Sequence, residues 1–235
     1  MVHADQPVRF GDAVVVGLSS ADDGNMKFGY GDDKTVQENQ QAFLAQLDID
    51  PTQTTLVRMS YEDTTDFTRY HIVDDSHLGE GMLEPISSLH ADALVVTRPD
   101  HALFLPLADC LGAVIYDPID RILMVSHLGR HNLEVEGAIK SVQYLVDEFG
   151  SDAKDLQIWL SPGVGSDSYP LHAFGDRSLL EVACEQFLTV GVDEANIEIS
   201  DIDTAESDNY FSHSEYLAGT QMGDERFAIV AMMRD

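Results

Sequence analysis

The sequence predicts an α+β fold, and three observations carry that prediction. Apolar runs of strand length recur in close pairs joined by short turns. Separate stretches repeat their apolar residues at helical spacing. The two kinds of segment do not alternate strictly, as repeated βαβ units would require.

In chain order, Val14 to Leu18 is an apolar strand, followed by a polar loop rich in Asp and Gly from Ser19 to Asp33. From Thr35 to Leu47, residues Val36, Gln40, Phe43, Leu44 and Leu47 fall on one helical face. Thr54 to Tyr61 alternates as a strand, and Phe67 to Val73 forms another short one. Asp92 to Val96 and Ala102 to Leu107 are strands flanking the turn Arg98-Pro99-Asp100. After a hairpin centred on Asp117 to Asp120, Leu133 to Phe149 is an amphipathic helix that ends at Gly150. Leu156 to Leu160 is a strand, Ser178 to Val190 a helix, and Ile197 to Ser200 and Phe227 to Met233 complete the strands. No linker or composition break divides the 235 residues, so one domain over 1–235 is expected.

The charge balance bounds the function. With 42 acidic against 13 basic residues and a net charge of −29, the chain lacks the positive field that nonspecific nucleic-acid or anionic-membrane binding needs. Dispersed acidity of this kind suits concentrated salt, where screening is short-ranged, so a salt-adapted host is expected. No run of 18 apolar residues occurs and the N-terminus lacks the pattern of a signal peptide, which leads us to expect a cytoplasmic protein, monomeric or a small homo-oligomer. Cys184 lies on a helix as a core residue, and two cysteines do not make a disulfide framework. Gly163-Val164-Gly165-Ser166 lacks the lysine and the full glycine pattern of a phosphate loop and reads as a strand-end turn.

The chemistry concentrates at the hairpin. If Asp117 opposes Asp120, Cys110 lies across from His127 on the same face, roughly 5 Å apart at Cβ. A register slip of one residue would separate them. A buried Cys and a His bonded to a carbonyl is the structural alternative. Asp109 and the polar run His127-Leu128-Gly129-Arg130-His131 weaken it, because they crowd polar groups at the open end of an apolar hairpin.

These motifs, taken in order, resemble the YfiH family of laccase-domain (polyphenol oxidoreductase) proteins, which includes purine nucleoside phosphorylases. Gly17-Leu18-Ser19-Ser20 resembles its opening strand and loop, and Val36 to Gln40 its "VxxNR" helix start. Ala91-Asp92-Ala93-Leu94-Val95 followed by Ala108-Asp109-Cys110 is similar to "ADALVT…TADC". Ser126-His127-Leu128-Gly129-Arg130 resembles "AHAGWRG", Leu160 to Gly165 resembles "IGPCIG", and Tyr210-Phe211-Ser212-His213 resembles "FFSYR". The shared order, with His127 following Cys110 by 17 positions, is the specific part.

The resemblance implies a layered α/β/β/α sandwich of mixed and antiparallel sheets with flanking helices. It implies a zinc held by Cys110, His127 and one His from an earlier strand, with purine nucleoside and phosphate as substrates. The "QVHG" that supplies the first His is absent: the strand in its place ends Arg58-Met59-Ser60-Tyr61. His71 is then the candidate third ligand, ahead of His77 and His90, which fall in loops. The family Arg of "NR" is Gln40 here, and the "WRG" segment is Arg130-His131-Asn132. Arg130, His131, Gln40 and Arg69, with Arg98, become the substrate- and phosphate-binding candidates. His131 is a second metal candidate if a helix begins there, and otherwise a polar residue at the mouth of the site. Asp109 joins Cys110 and His127 as a catalytic candidate, orienting His127 or a ribose hydroxyl, with a strand-end cap as its structural alternative.

Three readings follow. The first is a zinc-dependent phosphorylase of inosine or adenosine, in which the metal stabilises the leaving purine or activates water for deamination. The second is a metal-free thiol hydrolase or deamidase using a Cys110/His127 dyad. The third is a binding protein that has lost catalysis. Multicopper oxidation ranks low, because it needs more clustered His ligands than the nine dispersed through this chain.

Overall fold

The computed structural model describes residues 1–59, 70–84 and 90–235. Among them, β1 (Val14–Leu18), β2 (Thr54–Leu56), β5 (Ala102–Leu107) and β10 (Phe227–Met233) form one sheet in the order β1-β10-β5-β2. A second sheet contains β3 (Tyr70–Ile72), β4 (Ala93–Val96), β6 (Leu111–Asp117), β7 (Ile122–Leu128), β8 (Gln157–Leu160) and β9 (Ile197–Ile199), in the order β3-β4-β7-β6-β8-β9. Both are mixed: the interior pairs are antiparallel, and the edge pairs β2·β5, β3·β4 and β8·β9 are parallel.

The sheets pack face to face through Leu94, Val114, Trp159, Leu105 and Ile229. The outer face of the larger sheet, with Ala93, Met124 and Ile158, is covered by α3 (Gly137–Phe149) and α4 (Leu179–Thr189) through Val142 and Phe187. The outer face of the smaller sheet meets α1 (Asp33–Ala45), where Phe43 packs on Phe104 and Val230. The layering is therefore α/β/β/α, as the family resemblance implied. It also explains why β4, β5, β6, β7 and β10 are buried along their whole length, since strands covered on both faces need no polar alternation.

Local chemistry sets the helix ends. Asp32 caps α1 by accepting from the Thr35 N–H, and Ser178 and Glu181 form a reciprocal capping box on α4. The helix expected over Leu133 to Phe149 is instead two, α2 (Arg130–Glu134) and α3, broken where Glu136 adopts φ +64°. Gly137 passes so close to α2 that a Cβ would stand 2.8 Å from the Asn132 carbonyl oxygen. Gln186 of α4 bridges the break, donating to the Leu133 carbonyl at 2.8 Å and accepting from the Ala138 N–H at 3.1 Å. Of the expected strand Thr54 to Tyr61, β2 covers Thr54–Leu56 and Val57 continues by donating to the Phe104 carbonyl, while Ser60 and Tyr61 lie outside the described residues. The short helix α5 (His213–Ala218) was not anticipated.

The β6–β7 register differs from the expected one by two residues. Asp117 pairs with Ile122, leaving a four-residue loop from Pro118 to Arg121. The Asp117 carboxylate accepts from the Ile119 and Asp120 N–H groups, and Arg121 closes the turn at φ +54°. The even shift preserves the faces, but Gly112, not Cys110, stands opposite His127.

Candidate active site

Ala108-Asp109-Cys110 is the crossover from β5 in one sheet to β6 in the other, so Cys110 sits at the mouth between the sheets. His127 lies near the end of β7 and is 2 % exposed, its N–H donating to the Asp92 carbonyl. The two side chains converge on Gly129, the N-cap of α2. A Cβ there would lie 2.9 Å from Cys110 Sγ and 3.3 Å from His127 Nε2. The missing side chain leaves the crevice that thiol and imidazole share.

Asp109 organises this end of the molecule. Its φ of +73° is left-handed, a conformation Asp tolerates better than most residues. Oδ1 accepts from Thr204 Oγ1 at 2.8 Å, and Oδ2 accepts from both the N–H and the hydroxyl of Ser214 at 2.7 Å. The carboxylate therefore clamps the start of α5 beside Cys110. With its two oxygens bonded to Thr204 and Ser214, Asp109 has the bonding of the strand-end cap alternative.

Two cavities flank Cys110. One, of about 310 Å³, is lined by Lys27, Tyr30, Met59, His127, His213, Asp224 and Arg226. The other, about 330 Å³, is lined by Arg130, Val164, Tyr169, Leu179, His213, Ser214 and Leu217. Cys110 and His213 border both.

The first cavity is cationic within an acidic chain. Lys27 Nζ and the Arg226 guanidinium each lie 4.6 Å from the Tyr30 ring centroid. Burial and the Arg226 charge pull the Lys27 ammonium down to about 8, against the opposing pull of Asp224. Burial and the Lys27 charge push His127 down to about 3, so its imidazole is neutral. Burial and the Asp109 carboxylate push the Cys110 thiol up to about 12, more than Arg226 and Lys27 offset. For Asp224, burial acts upward, but hydrogen bonds from Arg226 and His213 outweigh it and hold the carboxyl below its usual range.

The structure brings together only some of the residues that the sequence singled out. Arg130 lines the second cavity, half exposed, with Glu134 3.8 Å away. His131 follows it in α2 but lines neither cavity; helix α2 begins after His127, so the two histidines are not one helical turn apart. Gln40 is 1 % exposed in α1 and donates to the Met26 carbonyl at 2.8 Å. It holds the backbone next to Lys27 and does not face the cavity. Arg98 pairs with Asp75, and neither lines these cavities. Arg69 lies outside the described residues.

His71 is on β3, with Nε2 3.0 Å from the His90 carbonyl oxygen. Among the described residues no three His, Cys, Asp or Glu side chains gather as a metal-binding group, so His71 is not assembled with Cys110 and His127. The strand end that would carry the family's first His brings Met59 to the cleft. Two donors fall short of the three protein ligands of a catalytic zinc, and the described residues do not fit a completed site.

Lys27, Tyr30, His213, Asp224 and Arg226 were missed by sequence reasoning. A signal existed for Lys27, one of only four lysines in the chain, and for His213, which closes the run Tyr210-Phe211-Ser212-His213 that resembles a family motif.

The family model described as multi-copper polyphenol oxidoreductase laccase matches residues 15–177. The chain belongs to that family. A purine nucleoside phosphorylase of Bacteroides thetaiotaomicron is 22% identical across 66% of this chain and 65% of its own length. A purine nucleoside phosphorylase of Mus musculus is 27% identical across 44% of this chain and 24% of its own length. The chain thus spans about two thirds of one relative and about a quarter of the other. The fold matches YlmD of Geobacillus stearothermophilus with a TM-score of 0.84 at 19% identity, covering 97% of this chain and 94% of that one. It matches the hypothetical protein YfiH of Bacillus licheniformis with a TM-score of 0.82 at 20% identity, covering 94% and 93%. Among the described residues no helix is long and apolar enough to cross a membrane.

Proposed function

We propose that this chain is a purine nucleoside phosphorylase whose phosphate binds in the cavity bordered by Lys27, Arg226 and Cys110. The observation that carries the reading is that cavity's local charge: in a chain of net charge −29, Lys27 and Arg226 converge on one cavity beside the Cys110/His127 crevice, with Asp224, paired to Arg226, as the one carboxylate among its described lining residues. An anionic nucleophile must be collected against the field of the whole protein, and local cations in a desolvated cleft do this most effectively.

In phosphorolysis a phosphate oxygen attacks C1′ as the bond from C1′ to N9 breaks, and the electron pair leaves with the purine. Lys27 and Arg226 hold the phosphate and offset its charge. Neutral His127 serves as a hydrogen-bond partner rather than a cation, and Gln40 supports Lys27 through Met26. Arg130 offers a donor from the side of the second cavity. The zinc that the resemblance implies remains a proposal for Cys110 and His127 with a third donor, and no step here runs through it.

The thiol-hydrolase reading fits less well, because a thiol pushed up to about 12 beside a neutral imidazole is not an activated nucleophile. The test is product analysis by mass spectrometry on inosine and adenosine, with and without phosphate, in high salt, beside Lys27→Met and metal analysis of the purified protein. Phosphate-dependent release of free base and ribose 1-phosphate supports the reading, and stoichiometric zinc supports the metal proposal. Folded protein that turns over neither nucleoside overturns the assignment.

A further inference from the structure

Besides Cys110, one titratable side chain among the described residues is common to the two cavities. His213 borders both, opposite Lys27 and Arg226 on one side and Arg130 and Tyr169 on the other. Its Nδ1 lies 2.8 Å from Asp224 Oδ1, and that carboxylate also accepts from Arg226 at 2.5 Å. An ionised Asp224 requires the proton on Nδ1, so Nε2 is the ring nitrogen left for a ligand. The ring is held by stacking on Tyr216, with centroids 6.3 Å apart, and its backbone is fixed where Ser214 is clamped by Asp109. Even so, the side chain is 45% exposed, so a carboxylate-oriented imidazole is open to whatever fills either cavity.

We propose that His213 is the proton donor to the departing purine, with phosphate in the cationic cavity and the base against Tyr169 and Leu217 in the other. The inference rests on the phosphorylase reading. As the bond from C1′ to N9 breaks, the purine takes its electron pair and accepts the Nε2 proton at N7. The imidazole becomes neutral and regains a proton from solvent. Phosphate oxygen closes the new bond to C1′, so the products are ribose 1-phosphate and neutral base. Asp224 fixes the ring through Nδ1, the orienting role a carboxylate plays behind a catalytic histidine.

The test compares inosine with 7-methylinosine on wild type and His213→Gln. The methylated base already carries positive charge and departs without a proton at N7. His213→Gln should lose roughly 10²-fold or more in kcat on inosine, the usual contribution of a general acid. On 7-methylinosine it should retain nearly the wild-type rate, which also shows that the variant is folded. Equal losses on both substrates, or no loss on inosine, overturn the proposal while the phosphorylase assignment stands. Wild-type protein inactive on both overturns the assignment itself and the proposal with it.

Discussion

Adding one methyl group at Gly129 should close the crevice between Cys110 and His127 while sparing the fold. The backbone there, at φ −96° and ψ 177°, is one that alanine adopts without strain. The obstacle is space: the new Cβ would meet Cys110 Sγ at 2.9 Å, His127 Cε1 at 3.2 Å and His127 Nε2 at 3.3 Å. Ordinary contact begins near 3.4 Å, so the thiol must move by about half an ångström and the imidazole by about one or two tenths. His127 is set in a fully buried strand, and close-packed interiors yield little. Overpacking of this kind costs about 1–3 kcal/mol. Replacing a glycine N-cap by alanine adds up to about 1 kcal/mol. A total near 2–3 kcal/mol lowers Tm by roughly 4–12 °C in a chain of this size. Turnover should fall roughly 10²-fold, the scale on which displacement of reacting groups acts. Calorimetry and phosphorolysis assays should be run together, with Gly31→Ala as control, because a Cβ there meets nothing nearer than Asn25 Nδ2 at 3.6 Å. Near wild-type turnover by folded Gly129→Ala would refute the placement of chemistry in this crevice.

Other expectations concern the site's supports and the core. Asp109→Asn loses acceptor capacity towards Thr204 and Ser214 and should cost about 2–4 kcal/mol in chemical denaturation, with faster hydrogen exchange in α5. Lys27→Met should raise the KM for phosphate roughly tenfold while changing the KM for nucleoside little, and an equal rise in both would remove Lys27 from the phosphate cavity. Stability should fall as pH drops from about 6.5 towards 4 because of His101, which is fully buried and pushed down to about 4 by burial and the Arg98 charge. Thr55 donates to the His77 carbonyl and so receives the His101 Nε2 proton. In that pH window the unfolded chain binds a proton that the folded one refuses, so the contribution, at most about 3 kcal/mol, is present at neutral pH and is lost on acidification. His101→Gln should flatten that part of the pH profile of unfolding free energy. Trp159→Ala, between the sheets, should cost about 3–5 kcal/mol by thermal melts.

Much of the fold was legible because its cues are local. The strands β1, β4, β5, β8 and β10 and helices α1 and α4 follow from apolar runs, caps and periodicity within a dozen residues. The break between α2 and α3 was not, because it depends on Gln186 arriving from α4 to bond both sides of the gap. The hairpin shows the same division: an apolar run on each side of Asp117-Pro118 predicts the pairing and its faces, while the two-residue shift comes from how the Asp117 carboxylate gathers the turn N–H groups.

By itself the sequence determined the α+β class, the family and the Cys110/His127 pair, since each is written in short-range pattern and in motif order along the chain. Only the tertiary structure decided what surrounds the pair. Lys27, His213, Asp224 and Arg226 come from loops and a short helix far apart in the chain, and they meet because two sheets stack and the Asp109 crossover pins the start of α5. Their signal lies in three-dimensional convergence, and no spacing rule in one dimension encodes it.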